Sequence, residues 1–214
     1  LISFFGNAQG NMINGHKYVD LGLPSGLKWA TCNVGASSPE EIGKFFSWGE
    51  TYTKSRHRKI DSETFGKSKT WLKSNGYIDS RGNLTLSHDA AYKNWGGTWR
   101  MPTANEIKEL LYYTDATWTT YNEVDGWLLK SKINGKSIFF PATGQKDDRG
   151  WNFGNPERSG LYFSATPDSN TLDDGQATCI GFYYKKNPVE LWNSRANAYT
   201  VRKVSDGKTS HNDN

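Results

Sequence analysis

Residues 99–111 read Trp99-Arg100-Met101-Pro102-Thr103-Ala104-Asn105-Glu106-Ile107-Lys108-Glu109-Leu110-Leu111, and they carry the clearest structural signal in the chain. Thr103 and Glu106 have the spacing of a capping box, in which each side chain bonds the other's backbone N–H. Ile107, Leu110 and Leu111 then fall on one face at i, i+3 and i+4. The spacing predicts a helix starting at Thr103 and held by packing of that stripe more than by propensity.

Around this helix the sequence reads mostly as strands and turns. Tyr18 to Ala30 predicts two strands about a Pro24-Ser25-Gly26 turn. Ser38-Pro39-Glu40-Glu41 predicts a short capped helix, stopped by Gly43. Residues 51–85 are polar, basic and weakly patterned, a long excursion with local turns. Ser87 is the expected cap of a short helix through Tyr92. Trp127, Leu129, Ser131 and Ile133 alternate with Leu128, Lys130 and Lys132 ahead of Asn134-Gly135, which predicts a hairpin with a type I′ turn. Leu161–Ser164, Ala177–Tyr184, Val189–Asn193 and Ala198–Val204 are the remaining strand candidates. Residues 1–16 read as a linker or N-terminal extension, 17–204 as one domain, and 205–214 as a polar tail.

Composition narrows the class. The 214 residues include nine Trp, eleven Tyr and ten Phe, so the core is built largely from aromatic rings rather than aliphatic chains. No apolar run is long enough for a membrane helix. Leu1–Phe5 is too short for a signal peptide and has no basic flank. The chain starts without Met, and a removed leader or upstream domain is the expectation. Net charge is +4. Arg56-His57-Arg58-Lys59, with Lys54, Lys67, Lys69 and Lys73 nearby, reads either as a polyanion patch or as a solvated loop, and the loop is favoured. No nucleic-acid partner and no membrane insertion are expected. Cys32 and Cys179 read as two free thiols. Asp147-Asp148 and the stretch from Asp168 to Gly175 are acid-rich enough to suggest calcium, but turn chemistry accounts for them. No cofactor is assigned.

Several long motifs carry a resemblance. These are Tyr18 to Ala36 with its Leu23-Pro24-Ser25-Gly26-Leu27-Lys28-Trp29-Ala30 centre, Trp48-Gly49-Glu50, Asn94 to Thr103, and Ala198-Tyr199-Thr200-Val201-Arg202. Together they resemble the Fibrobacter succinogenes major paralogous domain family over residues 17–204. More distantly, Arg100 to Glu106 and Tyr199 to Arg202 are similar to the formylglycine-generating-enzyme branch of C-type-lectin-like folds. The resemblance implies an α+β, C-type-lectin-like fold with short antiparallel sheets, two or three short helices and long ordered loops. It implies a surface or secreted protein of Bacteroidetes-type bacteria, or a phage virion protein. That enzyme branch uses a cysteine pair in its C-terminal half, where this chain has only Cys179, so its oxidase chemistry is not expected. Catalysis of other kinds lacks a motif. Glu50, Glu106, Glu109 and Glu123 all have structural alternatives.

The candidate site lies in residues 176–197. Thr178, Gly181, Tyr183, Tyr184, Asn187, Glu190, Trp192, Asn193, Ser194 and Asn197 surround plausible core positions at Ala177, Ile180 and Phe182. Tyr and Trp supply rigid contact area, and Asn and Ser supply adaptable hydrogen bonds. The alternative is that the rings only fill the core. Asn193, Ser194 and Asn197 read as the most exposed members, Trp192 as the most ambiguous, and Arg195 as either a contact or a residue bonding loop carbonyls. In related domains this stretch resembles the face that varies, in some cases the variable region of a diversity-generating retroelement. The expected function is ligand recognition, as an adhesin or receptor-binding module, with a protein or glycan on a cell surface as partner. A pilus, fibre or surface-assembly module is the second reading, and a carbohydrate-active enzyme the third.

Overall fold

A computed structural model describes residues 11–151, 158–168 and 175–208. In chain order these residues form β1 (Met12–Ile13), β2 (His16–Asp20), β3 (Lys28–Asn33), β4 (Phe45–Ser47), α1 (Lys69–Ser74), α2 (Ala90–Trp95) and α3 (Ala104–Tyr113). Then follow β5 (Thr114–Tyr121), β6 (Val124–Ser131), β7 (Ser137–Pro141), β8 (Lys146–Asp147) and β9 (Gly150–Trp151). The chain ends with β10 (Ser159–Pro167), β11 (Gln176–Tyr183), β12 (Val189–Ser194), β13 (Ala198–Thr200) and β14 (Arg202–Ser205). The architecture is mixed α+β, with three mostly antiparallel sheets and three helices. The first sheet runs β1-β2-β3-β14 and joins the two ends of the described chain. The largest runs β12-β11-β10-β13-β8-β9, with β4 also paired to β13. The third is the meander β5-β6-β7.

α3 forms as its sequence predicts. Thr103 Oγ1 accepts from Glu106 N, and the Glu106 carboxylate accepts from Thr103 N. Arg100 adds a two-pronged ion pair to Glu106, at 2.8 and 2.6 Å. Ile107 and Leu110 are buried, and Leu111 is partly buried against the same cluster.

The core has two parts, one on each face of β10 and β11. One gathers Phe46, Trp48, Phe163, Ala177, Cys179 and Tyr199. The other gathers Trp29, Trp127, Phe140, Tyr162, Ile180 and Phe182. The rings meet edge-on or tilted: Phe140–Tyr162 centroids are 5.1 Å apart at 86°, and Trp127–Phe182 centroids are 5.2 Å apart at 36°. Fully burying one such ring is worth roughly 4–6 kcal/mol of transfer free energy before the entropy of ordering is subtracted. Aliphatic side chains outnumber the rings in both parts, Leu72, Leu161 and Val201 in the first and Leu21, Ile107, Leu129 and Val204 in the second, so the core is mixed rather than chiefly aromatic.

Local expectations fail where a side chain or a distant partner overrides the local pattern. Residues 11–16 do not form a linker: Asn14 and Gly15, at φ +46° and +76°, turn the β1–β2 hairpin. Trp99 Nε1 donates to the Ile13 carbonyl and ties it down. The helix expected at 38–41 is a turn, because the Glu41 carboxylate accepts from both the N–H and the hydroxyl of Ser37. Asp89, not Ser87, caps α2 and accepts from Ala91 N and Tyr92 N. The excursion holds a full helix, α1, capped by Ser68. The expected β6–β7 hairpin forms, but of Asn134-Gly135 only Gly135 takes positive φ, so its turn is not type I′; a turn with both residues at positive φ falls instead at Asn122-Glu123 between β5 and β6. Ser131 Oγ accepts from Ile133 N and Asn134 N, which ends β6 early and leaves Ile133 half exposed. The last predicted strand is two strands, because the chain crosses between sheets at the buried Val201. Ser205, expected in the tail, is buried in β14 and bonds Thr98 Oγ1 at 2.6 Å.

Candidate functional site

β11 and β12 make an antiparallel hairpin with Gln176 opposite Ser194 and Gly181 opposite Val189. Successive side chains of a strand point to opposite faces. In β11, Ala177 and Cys179 enter one core cluster, and Ile180 and Phe182 enter the other. β12 ends one side of the largest sheet and, among the described residues, pairs only with β11. Its side chains therefore stand at the protein's rim. Trp192 is 53% exposed, Val189 44% and, at the end of β11, Tyr183 37%.

The ten candidate residues divide. Thr178 and Gly181 are buried and offer no surface; they are corrected to scaffold positions. Gly181 has a packing reason: a Cβ there would lie 2.3 Å from Leu191 Cδ2 and 3.0 Å from Tyr183 Cε2. Asn193, Ser194 and Asn197 are half-buried rather than the most exposed members. Asn193 Oδ1 accepts from Ser194 N, Ser194 Oγ accepts from Ala196 N, and Asn197 Nδ2 donates to Tyr199 Oη at 3.4 Å. Glu190 pairs with Lys108 of α3 at 3.5 Å, so it ties the edge strand to the helix. Tyr184 is half-buried and meets Trp118 edge-on at 4.9 Å, with the Arg158 guanidinium and the Lys185 ammonium 4.9 and 5.0 Å from its ring. Tyr183, Asn187 and Trp192 are exposed. Lys185 takes φ +55° in the turn that presents Asn187.

Arg195 is structural. It is buried, donates from Nε to the Gln176 carbonyl at 2.7 Å, and donates from one Nη to the carbonyls of Thr64 and Lys67 at 3.2 and 2.9 Å. Its guanidinium stands 5.1 Å from the Trp48 ring centroid. This bolts the end of β12 to the excursion and makes the hairpin a preorganised surface.

The basic run of the excursion is not one patch. His57 is buried, with Nδ1 2.8 Å from Ser47 Oγ, and Arg58 pairs with Asp61. Lys59 and Lys67 lie over the rings of Phe65 and Trp71. Three of the four carboxylates considered for catalysis are also committed, and the fourth, Glu123, lies exposed in the β5–β6 turn at φ +67°. Glu50 accepts from Glu63 N and pairs with Lys54, Glu106 pairs with Arg100, and Glu109 accepts from Ser25 N and Oγ. A cleft of about 450 Å³ beside α3 is bordered by Asp79, Asp89 and Glu106. Asp79 bonds Arg81 and the Asn83 N–H. Burial pushes the Asp89 carboxyl up to about 6, against N–H bonds from Met101, Tyr92 and Ala91. Cys32 and Cys179 are free buried thiols. Asp147 Oδ1 accepts from Arg149 N and its other oxygen pairs with the same guanidinium, which is turn chemistry. Among the described residues no cluster of three or more His, Cys, Asp or Glu side chains is placed to hold a metal, and 169–174 lie outside them.

Sequence reasoning missed Val189, and it missed Tyr112 of α3, which is 72% exposed. Neither carries a local signal; only the edge position of β12 and the rotation of α3 expose them. No protein-family model, curated protein or solved structure matches the chain.

Proposed function

We propose that the chain is a C-type-lectin-like recognition module of the family its motifs resemble, acting outside the cell as an adhesin or receptor-binding part. The β11–β12 hairpin and its turn are the binding surface. The observation that carries this reading is Trp192: more than half of a Trp side chain stands in solvent on a strand anchored by the buried Arg195 and the Glu190–Lys108 pair. Exposed aromatics on a rigid support are the usual anchors of interfaces, because little entropy is lost on contact. Tyr184, which meets Trp118 of the second core cluster, borders this surface with its flanking cations, and Asn187 extends it in the turn; Tyr183, two residues on from Gly181, stands on the opposite face of the hairpin, beside Leu191. The three mostly antiparallel sheets, the capped helix and the ring-rich core support the fold part of the proposal. A retroelement that rewrites these positions predicts a near-copy of this coding stretch, differing at adenines, beside a reverse-transcriptase gene.

The test is an array of surface glycans and surface proteins probed with wild type, Trp192→Ala and Asn187→Ala. A hit weakened by more than about tenfold in Trp192→Ala, with cooperative melting retained, is the expected result. A hit kept at full strength in the folded variant overturns the placement.

One observation favours the second reading, an assembly module. The outer edge of β12 pairs with no strand among the described residues, and such an edge is a template for another chain. Sedimentation at rising concentration separates the two: self-association abolished by a proline in β12 supports assembly, and a monomer throughout supports ligand recognition.

A further inference from the structure

Three lysines from separate parts of the chain line one cleft. Lys44 precedes β4, Lys54 lies beyond it in the excursion, and Lys146 opens β8. With Gly43, Phe45 and Thr53 they border a space of about 460 Å³, and no carboxylate residue lines it. β13 organises the cluster: Phe45, next to Lys44, is opposite Thr200, and Lys146 is opposite Ala198. Gly35, at φ +78°, lets the Lys44 stem lie flat, since a Cβ there would come within 2.5 Å of Lys44 Cγ. Lys54 is partly engaged, paired with Glu50 at 2.5 Å and donating to the Asp61 carbonyl at 3.0 Å. Lys44 and Lys146 form no ion pair among the described residues, and the Lys146 ammonium stands 4.9 Å from the Phe45 ring centroid.

The neighbouring His57 registers the field. Burial first, then the charges of Lys54 and Lys146, push its imidazole down to about 4. A concave wall of one sign concentrates counter-ions. Ammonium groups are compact point charges with three rotatable donors each, so they impose no fixed in-plane geometry on an anion. They suit a tetrahedral anion approached from several sides.

We infer that this cleft binds an oxyanion of the phosphate or sulfate type, at a site separate from the β11–β12 surface. The anion is either free or an ester on a glycan, and the test distinguishes the two. Backbone amide shifts of the whole chain are followed at low salt during titration with inorganic phosphate, inorganic sulfate, a sulfated tetrasaccharide and its desulfated form. The expected result is saturable shifts at Gly43, Phe45, Thr53 and Lys146. The midpoint should rise about tenfold in Lys44→Gln/Lys146→Gln and stay unchanged in Lys93→Gln, an exposed lysine of α2. Saturation by the inorganic ions identifies a free-anion site. Saturation by the sulfated tetrasaccharide alone identifies an ester site. No saturation by any probe, or equal loss in Lys93→Gln, overturns the inference. Trp192→Ala should leave this titration intact, so failure here is distinct from failure of the hairpin surface.

Discussion

β12 and β14 lie close in sequence and have opposite surroundings. β12 reads Val-Glu-Leu-Trp-Asn-Ser, and every residue is at least partly exposed. β14 reads Arg-Lys-Val-Ser, and every residue is buried. The more apolar strand faces water, and the more polar one is enclosed. Both are the last strands of their sheets. The difference is cover. Val204 of β14 exchanges both backbone hydrogen bonds with Arg100, at 3.0 and 2.9 Å, so the run leading into α3 closes that edge. No comparable segment closes β12 among the described residues. An uncovered edge is an aggregation hazard that folded proteins usually blunt. β12 keeps it open with a Trp in the middle, which fits a strand used for contact.

The burial of β14 can be broken most severely at Arg202. Its Nε donates to Asn33 Oδ1 at 2.8 Å, and one Nη donates to the carbonyls of Ala30 and Thr31. The guanidinium lies 4.4 Å from the Phe140 ring centroid. Arg202→Ala should cost about 3 kcal/mol or more in urea unfolding, through an orphaned acceptor and a cavity. A loss below about 1 kcal/mol would show that the enclosure is not what holds the strand.

Lys203 sharpens the same contrast with the opposite sign. Its Nζ is buried without a hydrogen-bond partner, 2.8 Å from the Trp95 ring centroid. Burial pushes its pKa down to about 6. The unfolded chain holds that proton up to the ordinary value of 10.5, so between these limits the unfolded state binds more protons. Stability should therefore rise as pH increases above 6. Lys203→Met should add about 1–3 kcal/mol at pH 7 and flatten that rise, read from melts at pH 6, 7.5 and 9. An unchanged slope would refute the assignment.

The smallest effect belongs to the open edge. Gly181→Ala meets the movable end of Leu191, so about 1 kcal/mol is expected. Chemical shifts of Tyr183 and Leu191 should move more than stability does. A loss as large as that at Arg202 would mean that the hairpin is core after all.

The legible parts of the chain were those where neighbouring residues supply the physics. The Thr103–Glu106 capping box, the stripe behind it and the hairpin spanning 177–193 all follow from short spacings. Turns read from residue type alone fared worse, because Ser131 and Glu41 bond the backbone and redirect it. The candidate site was half legible: the β11–β12 hairpin could be read, but not the exposure of its residues, since Asn193 and Ser194 turn their side chains onto their own backbone while Trp192 stays out.

By itself the sequence determined where α3 starts, that many rings would enter the core, and that β2, β3, β6, β7 and the stretches of β10 to β14 run as strands, since each depends on interactions within a few residues; β1, β4, β5, β8 and β9 could not be read from it. Only the tertiary structure decided that Arg202 and Lys203 are enclosed, that β12 is uncovered, and that Lys44, Lys54 and Lys146 share one cleft. Those outcomes depend on which distant segment lies alongside, and pairing across a sheet leaves no mark in local spacing.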